Sequence, residues 1–252
     1  MAKPDCKLCF GTGWIVSRED HLSSAERCSC VAEGAALQAE QRAHVPKIYE
    51  HVTFDEGFLL PDDNPVERSM LAPALMTVQA YARDFPLTPK PGLLLAGPPG
   101  VGKTHLAIAA LRKLIERGHE AIFFDYQNLL QRIRAGYDQT LGAANREAYQ
   151  TALETEVLVL DDLGGEKNVT DWVEDTISNI IAWRYNNRKP LIATTNLADP
   201  AYGGVPSTKD RQVGDYRATL EQRIGERARS RLFEMCKVVT LWGVSDYRLR
   251  RR

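Results

Sequence analysis

Residues 97–104 read Gly-Pro-Pro-Gly-Val-Gly-Lys-Thr, and these residue types at this spacing suit a loop that wraps a phosphate group. The glycines allow backbone N–H groups to point at an anion. Lys103 can reach the outer phosphates, and the Thr104 hydroxyl can bind Mg²⁺. The loop follows the apolar run 91–96 and precedes a segment, 104–117, with helical apolar spacing. Because a phosphate loop joins a strand to a helix, the sequence predicts a nucleoside triphosphate site.

Two adjacent carboxylates, Asp161 and Asp162, directly follow the apolar run 157–160. In open α/β sheets, ligands bind at the carboxyl ends of the strands. Asp161 is therefore predicted to bind Mg²⁺, and Asp162 to orient or deprotonate the attacking water. Alone, the pair would be interpreted as turn or helix-capping aspartates before Gly164. Its position after the phosphate loop favours the metal-binding role.

Two further groups could complete a phosphoryl-transfer site. Asn196 lies just after the predicted strand 190–194, and an uncharged amide there can hold the lytic water or sense the γ-phosphate without competing for the metal. Asparagine is also common in turns, so Asn196 alone is weak evidence. Its position after the phosphate loop and the acidic pair is what favours a role in the site. Arginines crowd the segment 223–231. A guanidinium supplied by a neighbouring subunit could stabilise charge on the transferring phosphoryl group.

The cysteines are concentrated near the amino terminus, in a Cys-x-x-Cys pair and a Cys-x-Cys pair. These residues are Cys6, Cys9, Cys28 and Cys30. Close pairs of this kind typically surround Zn²⁺ as a tetrahedron, and four thiolates leave no open position for catalysis. The sequence therefore predicts a structural zinc site, in which His21 could replace one thiolate; unligated thiols are the alternative. Cys236 lies in an apolar stretch and is predicted to be a core residue.

The composition is that of a globular protein with enough apolar residues for a core, since 44% of the 252 residues are hydrophobic and 26% are charged. No apolar run approaches the roughly 18–20 residues that cross a bilayer, and the first residues do not form a signal-peptide core. We therefore predict a cytoplasmic protein without a membrane partner. The formal net charge is −1, yet Lys and Arg outnumber Asp and Glu in 217–252. That segment indicates contact with nucleic acid or an acidic partner, with a solvated basic face as the alternative.

Strand-like apolar runs alternate with helix-like segments through most of the chain. The predicted strands are 91–96, 121–124, 157–160, 190–194 and 238–241, with a further short strand at 14–16. The predicted helices are 32–43, 71–85, 104–117, 127–150 with a break near 136, 171–187 and 219–230, and 198–215 is a predicted loop. This alternation indicates an α/β fold with a parallel five-stranded sheet between helices. We expect a zinc-binding module over 1–50, a linker over 51–70 and an ATPase domain over 71–252.

Together these segments resemble the AAA+ ATPases that load bacterial replicative helicases, the DnaC/DnaI type, and the related IstB transposition ATPases. The resemblance covers nearly the whole chain. It rests on the segments Gly97–Leu106, Leu160–Gly164, Thr194–Leu197, Ser230–Leu232 and Asp246–Arg248. The opening Cys-x-x-Cys-x-Gly-Thr-Gly-Trp is similar to the zinc modules by which phage and Gram-positive loaders grip the helicase.

The resemblance implies an AAA+ P-loop core without a full lid domain, because the chain ends four residues after Arg248. It implies that Asn196 acts as first sensor, Arg231 as the arginine finger that completes a neighbouring protomer's site, and Arg248 as second sensor. The residues implied to hold ATP are Gly97, Pro98, Pro99, Gly100, Val101, Gly102, Lys103, Thr104 and His105, and those implied to hold Mg²⁺ are Thr104 and Asp161. Many AAA+ enzymes have Asp-Glu where this chain has Asp161-Asp162. We therefore expect an ATPase that is weak or stimulated by its partner.

The resemblance also implies a function. A loader of this type binds the hexameric replicative DNA helicase, delivers it onto single-stranded DNA during replication initiation, and is released by ATP hydrolysis. ATP would join protomers into a hexameric spiral, and Arg132, Arg134 and the carboxyl-terminal basic residues are candidate DNA contacts. An IstB-like ATPase that assists a DNA transposase is the alternative within the same fold, although the zinc module favours the loader. A small-molecule kinase and a non-hydrolysing ATP-gated scaffold are the alternatives from other classes.

Overall fold

The computed structural model describes residues 4–19, 22–56, 60–61, 64–135, 144–166, 169–202 and 218–250. It begins with an antiparallel hairpin of two strands, β1 (Trp14–Glu19) and β2 (Leu22–Arg27). The strand predicted at 14–16 is the start of β1. Its partner β2 was not predicted, because its sequence Leu-Ser-Ser-Ala-Glu-Arg lacks the apolar alternation of a strand that packs on a core.

A parallel sheet forms the centre of the described structure. Its strands are β3 (Gly92–Ala96), β4 (Ala121–Asp125), β5 (Val157–Asp161), β6 (Leu191–Thr195) and β7 (Cys236–Thr240). Their spatial order is β4-β5-β6-β3-β7, and every neighbouring pair is parallel. The predicted α/β fold with a parallel five-stranded sheet is confirmed.

Helices surround this sheet. In chain order they are α1 (Ser29–Arg42), a 3-10 turn (Lys47–Tyr49), α2 (Pro65–Asp84), α3 (Lys103–Glu116), α4 (Tyr126–Ala135), α5 (Ala144–Glu154), α6 (Asp171–Asn186), α7 (Leu220–Ile224), α8 (Glu226–Met235) and α9 (Tyr247–Arg250). None of the helices in the described part of the chain combines the length and the apolar character that crossing a bilayer requires.

Strands β3 and β5 are buried on both faces, which explains why each is a continuous apolar run, in β5 up to Asp161. Leu93 and Leu95 of β3 pack into the core that contains α2 and α3. Leu94 points to the opposite face, where the core contains residues of α4 to α8. Because all five strands are parallel, their carboxyl ends meet at one edge, and the loop 97–102 leaves β3 at that edge.

Several boundaries differ from those expected from the sequence. Helix α2 begins at Pro65 rather than Leu71, because the Asn64 side chain accepts the Glu67 N–H at 3.2 Å and proline is favourable at a first helical position. The predicted helix 219–230 is divided at Gly225, whose φ of +80° is incompatible with a continuing α-helix. Most of the predicted loop 198–215, and the predicted break near 136, lie outside the described residues.

The segment that contains α1 and the 3-10 turn packs directly on the sheet domain. Glu40 forms a 2.8 Å ion pair with Arg112 of α3, and Arg112 also donates to the Tyr49 carbonyl at 3.3 Å. The Tyr49 ring meets the His105 ring edge-on, with 5.1 Å between centroids. The Phe123 N–H donates to the carbonyl of buried Ala43 at 2.8 Å. Residues 40–49 therefore share the core of the sheet domain, while the division into 1–50, 51–70 and 71–252 remains a prediction.

Candidate functional site

The loop between β3 and α3 has the backbone conformation that its glycines permit. Gly100 and Gly102 have φ angles of +77° and +94°, a region that side chains with a Cβ rarely adopt. Lys103 is buried at the start of α3, and its Nζ donates to the Pro98 carbonyl at 2.8 Å. Burial lowers the pKa of Lys103 to about 8, against the opposing charges of Asp162 and Asp161. The lysine thus lies inside the loop, with an ammonium that a phosphate would both neutralise and hydrogen-bond.

Asp161 is held by two hydroxyl groups at the carboxyl end of β5. The Thr104 hydroxyl lies 2.9 Å from its Oδ1 and 3.2 Å from its Oδ2, and the Thr194 hydroxyl donates to Oδ1 at 2.6 Å. Burial raises the pKa of Asp161, and hydrogen bonds from Thr194 and Thr104 partly oppose that rise. A carboxylate and a hydroxyl are hard oxygen ligands of the kind that Mg²⁺ prefers. The chemistry of this pair therefore fits the predicted magnesium site.

Asp162 occupies the left-handed region with φ of +56°, a conformation that aspartate tolerates better than most residues. Its N–H donates to the Thr194 hydroxyl at 2.9 Å, and its carbonyl accepts the Gly165 N–H at 2.9 Å. Burial raises the pKa of Asp162, and the nearby Lys103 ammonium lowers it. Asp161 and Asp162 therefore lie at the same edge as the loop, as the sequence predicts.

Thr194, rather than Asn196, makes the contacts of β6 with the acidic pair. Asn196 is exposed just beyond the end of β6. Thr194 is not among the residues with a predicted role. Its signal is the register of the sheet: Leu160 lies opposite Ala193, so the next positions, Asp161 and Thr194, lie side by side. A hydroxyl residue one place after the last apolar residue of a strand is the pattern that could have found it.

The carboxyl-terminal segment returns to the loop. The Tyr247 N–H donates to the Gly100 carbonyl at 3.1 Å. Burial lowers the pKa of His105, and the positive charge of Arg248 lowers it further. The charge of Arg248 also contributes to the lowered pKa of Lys103. The structure thus brings Arg248 to the loop within one chain.

The structure does not bring Arg231 to the loop of the same chain. Among the described residues it makes a long hydrogen bond, 3.4 Å, to the Arg227 carbonyl in its own helix. Its neighbour Arg229 is used inside the chain, since its guanidinium donates to buried Asp199 at 2.5 and 2.6 Å. Arg223 donates to the Glu166 carbonyl. This arrangement leaves Arg231 available for contact with another molecule.

The four amino-terminal cysteines converge. Their sulfur atoms all lie within 4.8 Å of one another, with Cys6 and Cys28 at 3.6 Å and Cys9 and Cys30 at 3.4 Å. A Zn–S distance of about 2.3 Å in a tetrahedron needs sulfur atoms roughly 3.8 Å apart, so the cluster could hold zinc. Hydrogen bonds from the backbone of Cys9 and Leu8 lower the pKa of Cys6 to about 6, which favours the thiolate.

Two further residues, His21 and Cys236, have predicted places alongside the four clustered cysteines. His21 lies outside the described residues, so its role as a substitute ligand remains a prediction. Cys236 is fully buried in the core of the sheet domain, and burial raises the pKa of its thiol. Its predicted place in the core is confirmed.

Comparisons with known proteins match most of the chain. Residues 84–252 match the family described as IstB-like ATP binding protein. The uncharacterized protein YqaM of Bacillus subtilis is 28% identical over 182 residues, which are 69% of this chain and 55% of YqaM. The phage-like element PBSX protein XkdC of the same species is 24% identical over 242 residues, 92% of this chain and 79% of XkdC. The chain therefore spans little more than half the length of YqaM.

A shorter match is with the insertion sequence IS5376 putative ATP-binding protein of Geobacillus stearothermophilus, 31% identical over 116 residues, 46% of this chain and 44% of that protein. Among solved structures, the DnaC helicase loader is 33% identical with a TM-score of 0.59, and the match covers 77% of this chain and 99% of that chain. The DnaI structure is 18% identical with a TM-score of 0.54, covering 80% and 93%, and shows the fold alone. The predicted AAA+ fold of the DnaC/DnaI type is confirmed.

Proposed function

The chain belongs to the IstB-like ATP-binding protein family, and from this premise we propose that it is an ATPase that loads a hexameric replicative DNA helicase onto single-stranded DNA. The observation that carries the proposal is the match to the DnaC helicase loader, 33% identical across 99% of that chain. The cysteine cluster supports a module that docks onto a protein partner, in addition to the nucleotide site.

In this proposal ATP binds along the loop 97–105. Lys103 exchanges its hydrogen bond to the Pro98 carbonyl for one to a phosphate oxygen, and Arg248 of the same chain faces the phosphates. Mg²⁺, held by Thr104 and Asp161, would neutralise charge on the β- and γ-phosphates. Asp162 orients the attacking water or accepts its proton, and the exposed amide of Asn196 holds that water. The raised pKa of Asp162 brings this carboxylate closer to the range of a general base.

The site is completed by a second protomer. Arg231 makes no ion pair among the described residues, so its guanidinium can stabilise the transferring phosphoryl group of a neighbouring chain. ATP bound at this boundary joins protomers into a hexameric spiral, and hydrolysis releases them. Arg132 and Arg134 lie on α4 and pack over the rings of Phe124 and Trp172, respectively. We propose both arginines as contacts to single-stranded DNA.

The shared site is tested by mixing two inactive variants. Arg231→Ala and Lys103→Ala should each lose about 10³-fold in hydrolysis, because each removes a charge that stabilises the transition state. Mixing them restores sites that combine an intact Lys103 with an intact Arg231, so turnover should reappear. Arg227→Ala removes an equivalent charge from the same helix and is the matched control, with turnover close to that of the unmodified protein. No recovery at any mixing ratio would contradict the shared site.

Delivery is tested with a closed circle of single-stranded DNA, onto which an intact helicase ring cannot thread. We expect the helicase to become bound to the circle only when this protein and ATP are both present. With Lys103→Ala in place of the unmodified protein, no helicase should become bound to the circle. Helicase binding that is unaffected by this protein would contradict the loader proposal.

A transposase helper is the second candidate, favoured by the match to the insertion sequence protein IS5376. A helper of this kind would bind duplex DNA and stimulate strand transfer by a transposase. Affinity purification from the native host, with and without ATP, separates the two: recovery of a replicative helicase supports the loader, and recovery of a transposase supports the helper.

A further inference from the structure

The carboxylate of Asp246 lies directly against the phosphate loop. A Cβ built on Gly100 would fall 1.8 Å from Oδ1 and 2.6 Å from Oδ2 of Asp246. No side chain can occupy that space while the carboxylate is present. Gly100 is thus needed for two reasons, its positive φ and the close approach of this carboxylate.

Two backbone hydrogen bonds fix the same junction. The Tyr247 N–H donates to the Gly100 carbonyl at 3.1 Å, and the Arg248 N–H donates to Asp246 Oδ1 at 2.8 Å. Asp246 therefore both touches the loop and closes the first turn of α9. A helix of four residues has too few internal hydrogen bonds to persist alone, so this anchoring determines where α9 lies.

The charge of Asp246 has no compensating ion pair among the described residues, although it lies near the Lys103 ammonium. A carboxylate beside a loop that binds phosphates opposes an incoming anion. Its presence there is therefore unfavourable for binding unless it contributes in another way. The contribution visible in the structure is the placement of α9, which carries Arg248 toward Lys103 and His105.

We propose that Asp246 is a positioning residue, whose carboxylate holds α9 against Gly100 and so places the Arg248 guanidinium beside the phosphates of bound ATP. The inference rests on the ATP-binding part of the proposed function and is independent of helicase delivery.

The test is a double-mutant cycle that measures the affinity for a fluorescent ATP analogue. Asp246→Ala and Arg248→Ala should each weaken binding about tenfold, because each removes the same charge-assisted contact, Arg248→Ala directly and Asp246→Ala by releasing α9. In the Arg248→Ala background, Asp246→Ala should cause no further loss of affinity, since only the repulsion between the carboxylate and the phosphates is then removed. Asp246→Asn keeps an oxygen that accepts the Arg248 N–H and should lose less than about threefold. Leu249→Ala, an exposed change on the same helix, is the control and should bind as the unmodified protein does.

Three results would overturn the inference. They are normal binding by Asp246→Ala, a tenfold loss that persists in the Arg248→Ala background, and an Asp246→Asn variant as weak as Asp246→Ala. Thermal unfolding without nucleotide shows whether Asp246→Ala is folded. If it melts early, Asp246→Gly, which also lacks the acceptor but is tolerated at an N-cap, replaces it in the same cycle with the same expectation.

The two proposals fail separately. Protein that passes this cycle yet does not deliver a helicase overturns the loader proposal alone. Unmodified protein that binds no adenine nucleotide overturns both.

Discussion

Replacing Thr194 by valine removes a hydroxyl group without changing the shape of the side chain. This hydroxyl donates to Asp161 at 2.6 Å and accepts the Asp162 N–H at 2.9 Å, and Thr194 is only 1% exposed. Loss of a hydrogen bond to a charged group is worth about 1.5–3 kcal/mol, and an unpaired buried N–H about 1–3 kcal/mol. Asp161 keeps its bond from Thr104. Because that bond remains, we expect the lower part of the summed range, so that Thr194→Val lowers the free energy of unfolding by about 2.5–4 kcal/mol at neutral pH.

The pH dependence identifies the bond to Asp161 as the cause. The Thr194 hydroxyl stabilises the ionised carboxylate, so its removal should raise the pKa of Asp161 beyond the rise that burial already produces. A raised folded-state pKa means that the folded protein binds more protons than the unfolded chain between the ordinary value of 3.8 and the raised value. Stability should therefore fall as the pH rises through that window, and fall further in the variant. The difference between the two proteins should shrink as the pH approaches 4.

Urea denaturation of the nucleotide-free protein at neutral pH and at about pH 4.5 measures this effect. Thr194→Ser keeps the hydroxyl and loses one methyl group, so it is the matched control and should cost only about 1 kcal/mol. Two outcomes would refute the reasoning. One is equal stability of the serine and valine variants at neutral pH, and the other is a loss in the valine variant that does not change with pH.

The remaining predictions concern three other sites. Because the pKa of Lys103 is about 8 in the nucleotide-free protein, ATP binding at about pH 8.5 should take up a proton and weaken as the pH rises further. Calorimetry in buffers of different ionisation enthalpy measures that uptake, and identical heats in every buffer would count against it. Arg184 is fully buried and donates five hydrogen bonds, to the backbone carbonyls of residues 152, 153, 155, 156 and 190. Arg184→Lys should cost about 3 kcal/mol in chemical denaturation, since an ammonium cannot reach all five acceptors, and a loss below about 1 kcal/mol would be inconsistent with this role. Purified protein should release about one equivalent of zinc when its thiols are blocked, and Cys9→Ser should release far less, whereas metal-free protein with unchanged thermal stability would rule out a structural zinc.

The parts of the fold that the sequence predicts well are those with local signals. Strands β3 and β5 are short apolar runs bounded by turn residues, because burial on both faces leaves no polar position in them before Asp161 at the end of β5. The spacing of Cys6, Cys9, Cys28 and Cys30 likewise predicts their cluster. Within each close pair only one or two residues separate the cysteines, so the sulfur atoms of a pair come together locally.

The parts that could not be predicted depend on contacts between distant residues. Thr194 meets Asp161 only because β5 and β6 are neighbours in a particular register. Asp246 meets Gly100 across more than a hundred residues, and nothing near either position indicates the contact. Arg231 is a different case, because its proposed partner belongs to another protomer.

The continuity of α1 has a mechanical consequence. Its first turn contains the cluster residue Cys30, and its last turns hold Arg112 of α3 through Glu40. The 14 residues of α1, at 1.5 Å each, make a helix of about 21 Å. Beyond its end, the Tyr49 ring of the 3-10 turn contacts His105, the residue next to Thr104. Under the proposed function, a partner bound at the cysteine cluster would act on the first turn of α1, while the last turns of α1 contact α3 beside the proposed nucleotide site. Partner binding and nucleotide occupancy are then expected to be mechanically coupled through α1.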